Sequence, residues 1–390
     1  MKTNAMSMSN LSPRVGYIPS LDGIRALAVL GVIGFHFTFP FRTQLLDTGG
    51  LWKWWVHISN NGWLGVDLFF ILSGYLIARK LLSSPVTDWP AYARFVNSRA
   101  RRLLPAYVAC LIFINIVALA FTPDSRVLHV QWWVWTFTVN FAQAFGNPFI
   151  VSDPLYGLDH FWSLAMEWHF YLLFPLVLMV SKSPVKTALG MLALALCVRL
   201  FMLWLLPERS ASAAYFFTFA RMDGFAFGVL AAARAEHIPP RTLCLFAKVA
   251  IGALTVLFVV VGYQSIDIHH SVTFQVIGYT LASGLFATII AYLATKNQPT
   301  PITLWLEHPW LVRIGLISYS LYLWHLVFIS IITGWAVKHA SNSLIPQFLL
   351  SSAINLAFTL VASIISYRLF EQGYFRQRRT LQPRLKEAMT

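Results

Sequence analysis

The stretch from Ser20 to Pro40, SLDGIRALAVLGVIGFHFTFP, is long and apolar enough to cross a bilayer, yet it carries Asp22 and Arg25 at its start and His36 inside. A span of about 20 residues must be helical, because a helix satisfies its own backbone hydrogen bonds in hydrocarbon. At about 100° per residue, Arg25 and His36 fall within roughly 20° of each other on the wheel, and Asp22 within about 40° of His36. Arg25 and His36 are then separated by about 16 Å along the axis. An ionisable side chain within a span costs roughly 2.5 kcal/mol or more unless it faces a cavity or a partner. An aligned acid, base and imidazole therefore suggest a site. The plain alternative is two interfacial capping charges and a core histidine, and the helix alone leaves both readings open.

The rest of the chain is of the same kind. Of its 390 residues 57% are hydrophobic and only 11% charged, with a mean hydropathy of +0.63, where a soluble domain has about 25% charged residues. This composition defines an integral membrane protein. The first twenty residues are polar, with no small-residue cleavage site after a short apolar core, so the first span is expected to act as an uncleaved anchor. A net charge of +14 would suggest nucleic acid in a soluble chain; here it points to loops held on one side of a membrane, and no nucleic-acid partner is expected. Cys110, Cys197 and Cys244 have no metal-ligand spacing and form no disulfide framework, so no metal is expected.

Ten apolar windows are long enough to span, at roughly 21–41, 62–81, 104–121, 160–181, 186–206, 214–233, 243–263, 273–294, 312–335 and 346–370. Of the 29 Lys and Arg, 22 fall in the termini and alternate loops of one side, five on the other, and Arg199 and Arg221 within spans. By the positive-inside rule both termini are cytoplasmic. The expected fold is an all-α polytopic membrane helical bundle of about ten transmembrane helices: a cytoplasmic tail over 1–20, a membrane domain over 21–372 and a basic cytoplasmic tail over 373–390. No internal repeat or appended soluble domain is visible. The tail after Tyr374, RQRRTLQPRLK, suits anionic membrane lipid. On the opposite side, LWKWWVH (Leu51 to His57) and VQWWVWTF (Val130 to Phe137) read as interfacial aromatic segments or as a sugar-stacking platform.

Several spans carry further chemistry. The second, GWLGVDLFFILSGYLIARK, places Asp67 in its outer half, and Ser73-Gly74 allow close helix approach. Arg99 and Arg102 lie one helical turn apart before the third span, where they suit a polyanion as well as ordinary positive-inside charge. In HFWSLAMEWHFYLLFP, His160, Ser163 and Glu167 share a helix face. Arg221 and Asp223 are expected within the sixth span, paired with each other or across helices. In the ninth, Ser318, Tyr322 and His325 fall at i, i+4 and i+7. Glu371 beside Arg368 reads as an interfacial pair. A polar cavity within the bundle accounts economically for His36, Asp67, Glu167, Arg221, Asp223 and His325 together.

In order along the chain, SLDGIRALAVLGVIGFH, GVDLFFILSGYLI, RARRLLP, HFWSLAMEWHFYLLFP, RMDGFAFG and SYSLYLWH resemble the acyltransferase-3 family of integral membrane O-acyltransferases. The resemblance runs from Leu21 to about Phe375 and includes the Arg-x10-His spacing of Arg25 and His36 and the Arg-x-x-Arg pair of Arg99 and Arg102. It implies transfer of an acyl group, commonly acetyl, from cytoplasmic acyl-CoA to hydroxyls of glycans or other extracytoplasmic acceptors, including a lipid-linked saccharide. Some members carry an added esterase-like domain; this chain resembles the stand-alone type.

Together these readings give an expected mechanism. Arg25, Arg99 and Arg102 hold the phosphates of acyl-CoA as co-substrate. His36 serves as general base, an unperturbed imidazole titrating near about pH 6.5, with Glu167, Asp67 or Asp223 orienting it. Asp22, Ser163, Arg221, Tyr322 and His325 line the substrate pocket. A covalent acyl-imidazole on His36 is the alternative route. A transporter of a polar or glycan substrate is the rival from another class, although it leaves the arginine pair without a role. The acceptor, the acyl group and the oligomeric state are open at this point.

Overall fold

The computed structural model describes residues 16–121, 130–146, 158–295, 299–340 and 343–373. The expected N-terminal tail lies almost wholly outside these residues, as do the basic C-terminal tail and most of the connection before Leu158. Among the described residues the secondary structure is entirely helical. The principal helices are α1 (Pro19–Thr38), α2 (Leu64–Ser83), α3 (Trp89–Phe121), α4 (Phe161–Ser181), α5 (Pro184–Leu205), α6 (Met222–Arg234), α7 (Pro240–Gln264), α8 (Tyr279–Thr295), α9 (Ser318–Trp324), α10 (Ile329–His339) and α11 (Leu344–Ser366). Among the described residues, seven helical stretches are long and apolar enough to cross a membrane, nine if each of two bent pairs counts as one crossing. Helix α2 is 20 residues long but carries Asp67, Arg79 and Lys80; with it the number reaches the ten of the sequence reading.

Helix α1 is packed by α2 and by the short helices Pro301–Leu306 and Pro309–Leu316. Its Val29 and Val32 are fully buried. The helical path continues beyond α1 to Thr48, which leaves His36 near the middle of a 30-residue stretch. Helices α2 and α6 meet backbone to backbone: a Cβ on Gly74 would lie 2.2 Å from Phe225 O, and one on Gly228 2.1 Å from Ile71 O. Glycine at both positions is what permits this approach. Phe70, Phe225 and Phe170 stack across the junction, with centroid separations of 4.7 and 4.4 Å.

Two expected spans are not continuous helices. The sixth bends by 64° between Ser210–Phe216 and α6, and the ninth by 61° between α9 and α10. Periodicity did not show these breaks, because neither follows a proline or glycine within the helix. Inside a bilayer the backbone groups released by a break need partners, and polar side chains supply them. Asn140 Nδ2 donates to Phe216 O at 3.2 Å and to Thr218 Oγ1 at 2.7 Å. At the second break His325 Nδ1 donates to Tyr322 O at 2.6 Å and His160 Nε2 to Leu323 O at 3.1 Å. His325 therefore lies just past the end of α9, not on one continuous helix face with Ser318.

Candidate active site

The ionisable residues expected in one cavity form three neighbouring groups. The first lines a narrow cavity of about 80 Å³, with Arg25, Arg99, Arg102, Ser73, Glu167 and Tyr322 among its walls. Arg25 Nη1 donates to Asp22 Oδ1 at 2.7 Å, and Tyr17 donates to Asp22 Oδ2 at 2.7 Å. Asp22 thus aims Arg25 and is not itself part of the wall. Arg99, 6% exposed, lies over the rings of Phe95 and Tyr171. Glu167 accepts from Ser73 and Tyr171. Ser163 and Tyr322 close the far side through a 2.5 Å hydrogen bond between their hydroxyls. Three guanidinium groups thus line one partly polar slot, and guanidinium is a group that can bind phosphate oxygens bidentately.

The second group is a histidine cluster behind Tyr322. His36 Nδ1 lies 3.1 Å from His325 Nε2 and 2.9 Å from Val32 O. Tyr322 O can only accept, so His325 carries its proton on Nδ1 and offers the Nε2 lone pair. That lone pair takes a share of the His36 Nδ1–H, which Val32 O also accepts. In neutral His36 the basic lone pair is then on Nε2, an atom with no hydrogen bond among the described residues. His325 is fully buried and His36 half-buried. The ring of His160 stands 4.9 Å from that of His325.

The third group is a buried charge network. Arg221 pairs with Asp67, and Arg199 Nη2 with Asp223 Oδ2 at 2.8 Å, every one of these side chains at most 1% exposed. Thr280 donates to the same Asp223 oxygen at 2.7 Å. The guanidinium of Arg221 sits 4.1 Å from the centroid of Tyr279. Asp223 thus pairs with Arg199 and not with Arg221.

These arrangements change which side chain is expected to orient His36. Asp67, Asp223 and Glu167 all have other partners, and none hydrogen-bonds the imidazole. The residue that does is His325, which the sequence had placed only in the substrate pocket. His36 is not among the residues lining the arginine cavity; Tyr322, which does line it, has its ring 5.4 Å from that of His325, the partner of His36. Glu371 is fully buried and receives a 2.5 Å hydrogen bond from Ser320, so its side chain packs inside the bundle. Arg199 was visible in the sequence as an arginine within a span, but without a partner. Among the described residues no group of His, Cys, Asp and Glu could hold a metal ion.

A membrane-embedded helical bundle with this motif set defines a class of acyl-transferring membrane proteins, and the profile of the acyltransferase domain matches residues 18–367. The chain belongs to the acyltransferase-3 family. A Staphylococcus aureus (strain COL) protein whose O-acetyltransferase assignment is itself provisional is 29% identical over 388 residues, covering 93% of this chain and 58% of the relative. The O-acetyltransferase OatA of S. aureus strain NCTC 8325 is 28% identical, covering 92% of this chain and 57% of its own length. The chain thus spans somewhat over half the length of these relatives. No solved structure matches it.

Proposed function

We propose that this membrane acyltransferase moves an acyl group, acetyl by analogy with the named relatives, from cytoplasmic acyl-CoA to a hydroxyl of a cell-surface glycan or its lipid-linked precursor. The observation that carries the reading is the His36–His325 pair, which leaves the outer nitrogen of His36 as a hydrogen-bond-free base. The distribution of Lys and Arg supports a cytoplasmic position for Arg25, Arg99 and Arg102. Their cavity has room for only a few waters at about 30 Å³ each, so admitting the arm of the donor requires the cavity to widen.

In the proposed step His36 Nε2 takes the proton of the acceptor hydroxyl as its oxygen attacks the thioester carbonyl carbon. The C–S bond breaks, the acyl group stays on the oxygen, and the CoA sulfur leaves with the proton returned by the imidazolium. His325 Nε2, accepting from His36 Nδ1–H, stabilises the imidazolium as it forms. His36→Ala should lower acyl-CoA-dependent transfer by at least about 10²-fold, with an unchanged melting temperature in detergent. Mass spectrometry of surface glycans from cells carrying either form checks this, and glycans still acylated by the variant would remove His36 from the chemistry. Labelled acyl-CoA supplied without acceptor separates direct transfer from the acyl-imidazole route, since only the latter leaves label on the protein.

A further inference from the structure

His160 is the member of the histidine cluster that the proposed step does not use. It stands immediately before α4 and is 2% exposed. It meets α9 at two points. Its ring nitrogen Nε2 donates to Leu323 O at 3.1 Å. Its own carbonyl accepts from the Tyr322 hydroxyl at 3.3 Å and from Ser163 Oγ at 3.0 Å. Leu323 O is a carbonyl released by the break after α9. In a continuous helix it would accept from Val327 N, but Val327 N turns instead to Trp324 O at 3.3 Å. The thiol of Cys110 also approaches Leu323 O, at 3.8 Å, but a thiol is a weak donor. With Leu323 and Cys110 fully buried, solvent is not at hand to replace the imidazole N–H.

We propose that His160 is a positioning residue: its hydrogen bond to Leu323 O fixes the break that sets His325 against His36. Leu323 precedes His325 by two residues, so the direction of its carbonyl governs how the chain turns into that imidazole. Tyr322, the residue before Leu323, supplies the carbonyl that takes the His325 Nδ1 proton. Gripping Tyr322 by its hydroxyl and Leu323 by its carbonyl, His160 immobilises both residues that orient His325. The ring adds a lateral stop, standing edge-on to His325 at 4.9 Å and to Tyr322 at 5.4 Å. His325 Nε2 then lies 3.1 Å from His36 Nδ1. An apolar side chain at 160 would fill the space but leave a buried carbonyl without a strong donor, which is costly. Turning Leu323 away would relieve that cost and carry His325 off His36. His160 touches no reacting atom, and no proton passes through it, because the His325 Nδ1–H is given to Tyr322 O. The inference rests on the reading of His36 as the base.

Inside-out membrane vesicles carrying the full chain and the cell's own acceptors, given labelled acetyl-CoA, test this. Rates are taken per folded protein, counted by size exclusion in detergent. Gln and Met are alike in length and differ in the N–H, so His160→Gln keeps the donor and His160→Met removes it. His160→Phe removes it while keeping a ring beside Tyr322 and His325. His160→Met and His160→Phe are each expected to lower kcat by about tenfold, the equivalent of one hydrogen bond, with KM for acetyl-CoA unchanged. His160→Gln should restore most of the rate. Adding His325→Phe to His160→Met should lower kcat no further than His325→Phe alone, because both act through one residue. A Met variant as fast as the Gln variant, or losses that add in the double variant, would overturn the role of His160. His36→Ala in the same vesicles keeps the two readings apart. If it is inactive while His160→Met runs at full rate, the role of His160 alone falls; if it transfers normally, the base and the positioning role fall together.

Discussion

At the scale of single residues the arrangement turns on which nitrogen of His36 holds its proton. A carboxylate partner would fix that proton on Nδ1 by charge; here the Val32 carbonyl at 2.9 Å does so, together with a second imidazole that has spent its own Nδ1–H on the Tyr322 carbonyl. His325 touches no reacting atom in this scheme and is a positioning residue. Replacing it with Phe removes the side-chain acceptor of His36 and leaves the Val32 carbonyl, whereas Gln can offer a side-chain oxygen in its place. His325→Phe is expected to lower kcat by about 10²-fold with KM for acyl-CoA unchanged, and His325→Gln to restore a substantial part. Steady-state kinetics on purified protein check this; a rise in KM with kcat intact would place His325 in donor binding instead. The candidate base was legible from wheel geometry, because Arg25 and His36 sit on one uninterrupted helix. Its partner was not, because His325 follows a break that side-chain hydrogen bonds stabilise and apolar periodicity does not record.

At the scale of elements, the broken spans and the glycine-mediated contact of α2 with α6 hold the charge network in place. Asp67 is in the first turn of α2 and Arg221 directly precedes α6, so sliding α2 along α6 would separate that pair. A buried charge that loses its partner is strongly destabilising. Gly228→Val sets a side chain against Ile71 O and should cost on the order of 1–3 kcal/mol by overpacking, seen as a lower apparent Tm in detergent. Gly190→Ala, on α5 with nothing within 4 Å of the added carbon, should leave Tm level or slightly raised. Equal effects at both positions would show that close packing at Gly228 is not what holds α2 to α6. Ser73-Gly74 were readable as a close-approach pair. The pairing of Asp223 with Arg199, 24 residues away, was not, since a sequence records which charges enter the bilayer but not how the spans carrying them are arranged.

At the scale of the whole molecule, α1 borders two cavities of different chemistry. The arginine cavity is narrow and partly polar; a groove of about 620 Å³ between α1, α2, α7 and α8 is wide and apolar. The sequence showed the arginines and the aromatic segment as separate motifs, and only packing reveals that each lines a cavity beside α1. If the arginine cavity takes the donor, as proposed, its residues should affect donor use separately from acceptor use. Arg99 and Arg102 come from one turn of α3 and Arg25 from α1, so under the proposed function the cavity would hold a polyanion from two elements. Losing one charge-assisted hydrogen bond, about 1.5–3 kcal/mol, corresponds to a tenfold or larger loss of affinity. Arg99→Gln is expected to raise KM for acyl-CoA by at least about tenfold, leaving KM for the acceptor and the stability of the protein unchanged. Comparison with a donor lacking the 3′-phosphate refines the assignment. If Arg99 contacts that phosphate, the substitution and the missing group are not additive, and the variant loses little more when offered the shortened donor. Additive losses would assign Arg99 to the pyrophosphate. A variant with unchanged donor KM would show that the three arginines serve topology alone, and the entry of acyl-CoA would have to be sought elsewhere on the bundle.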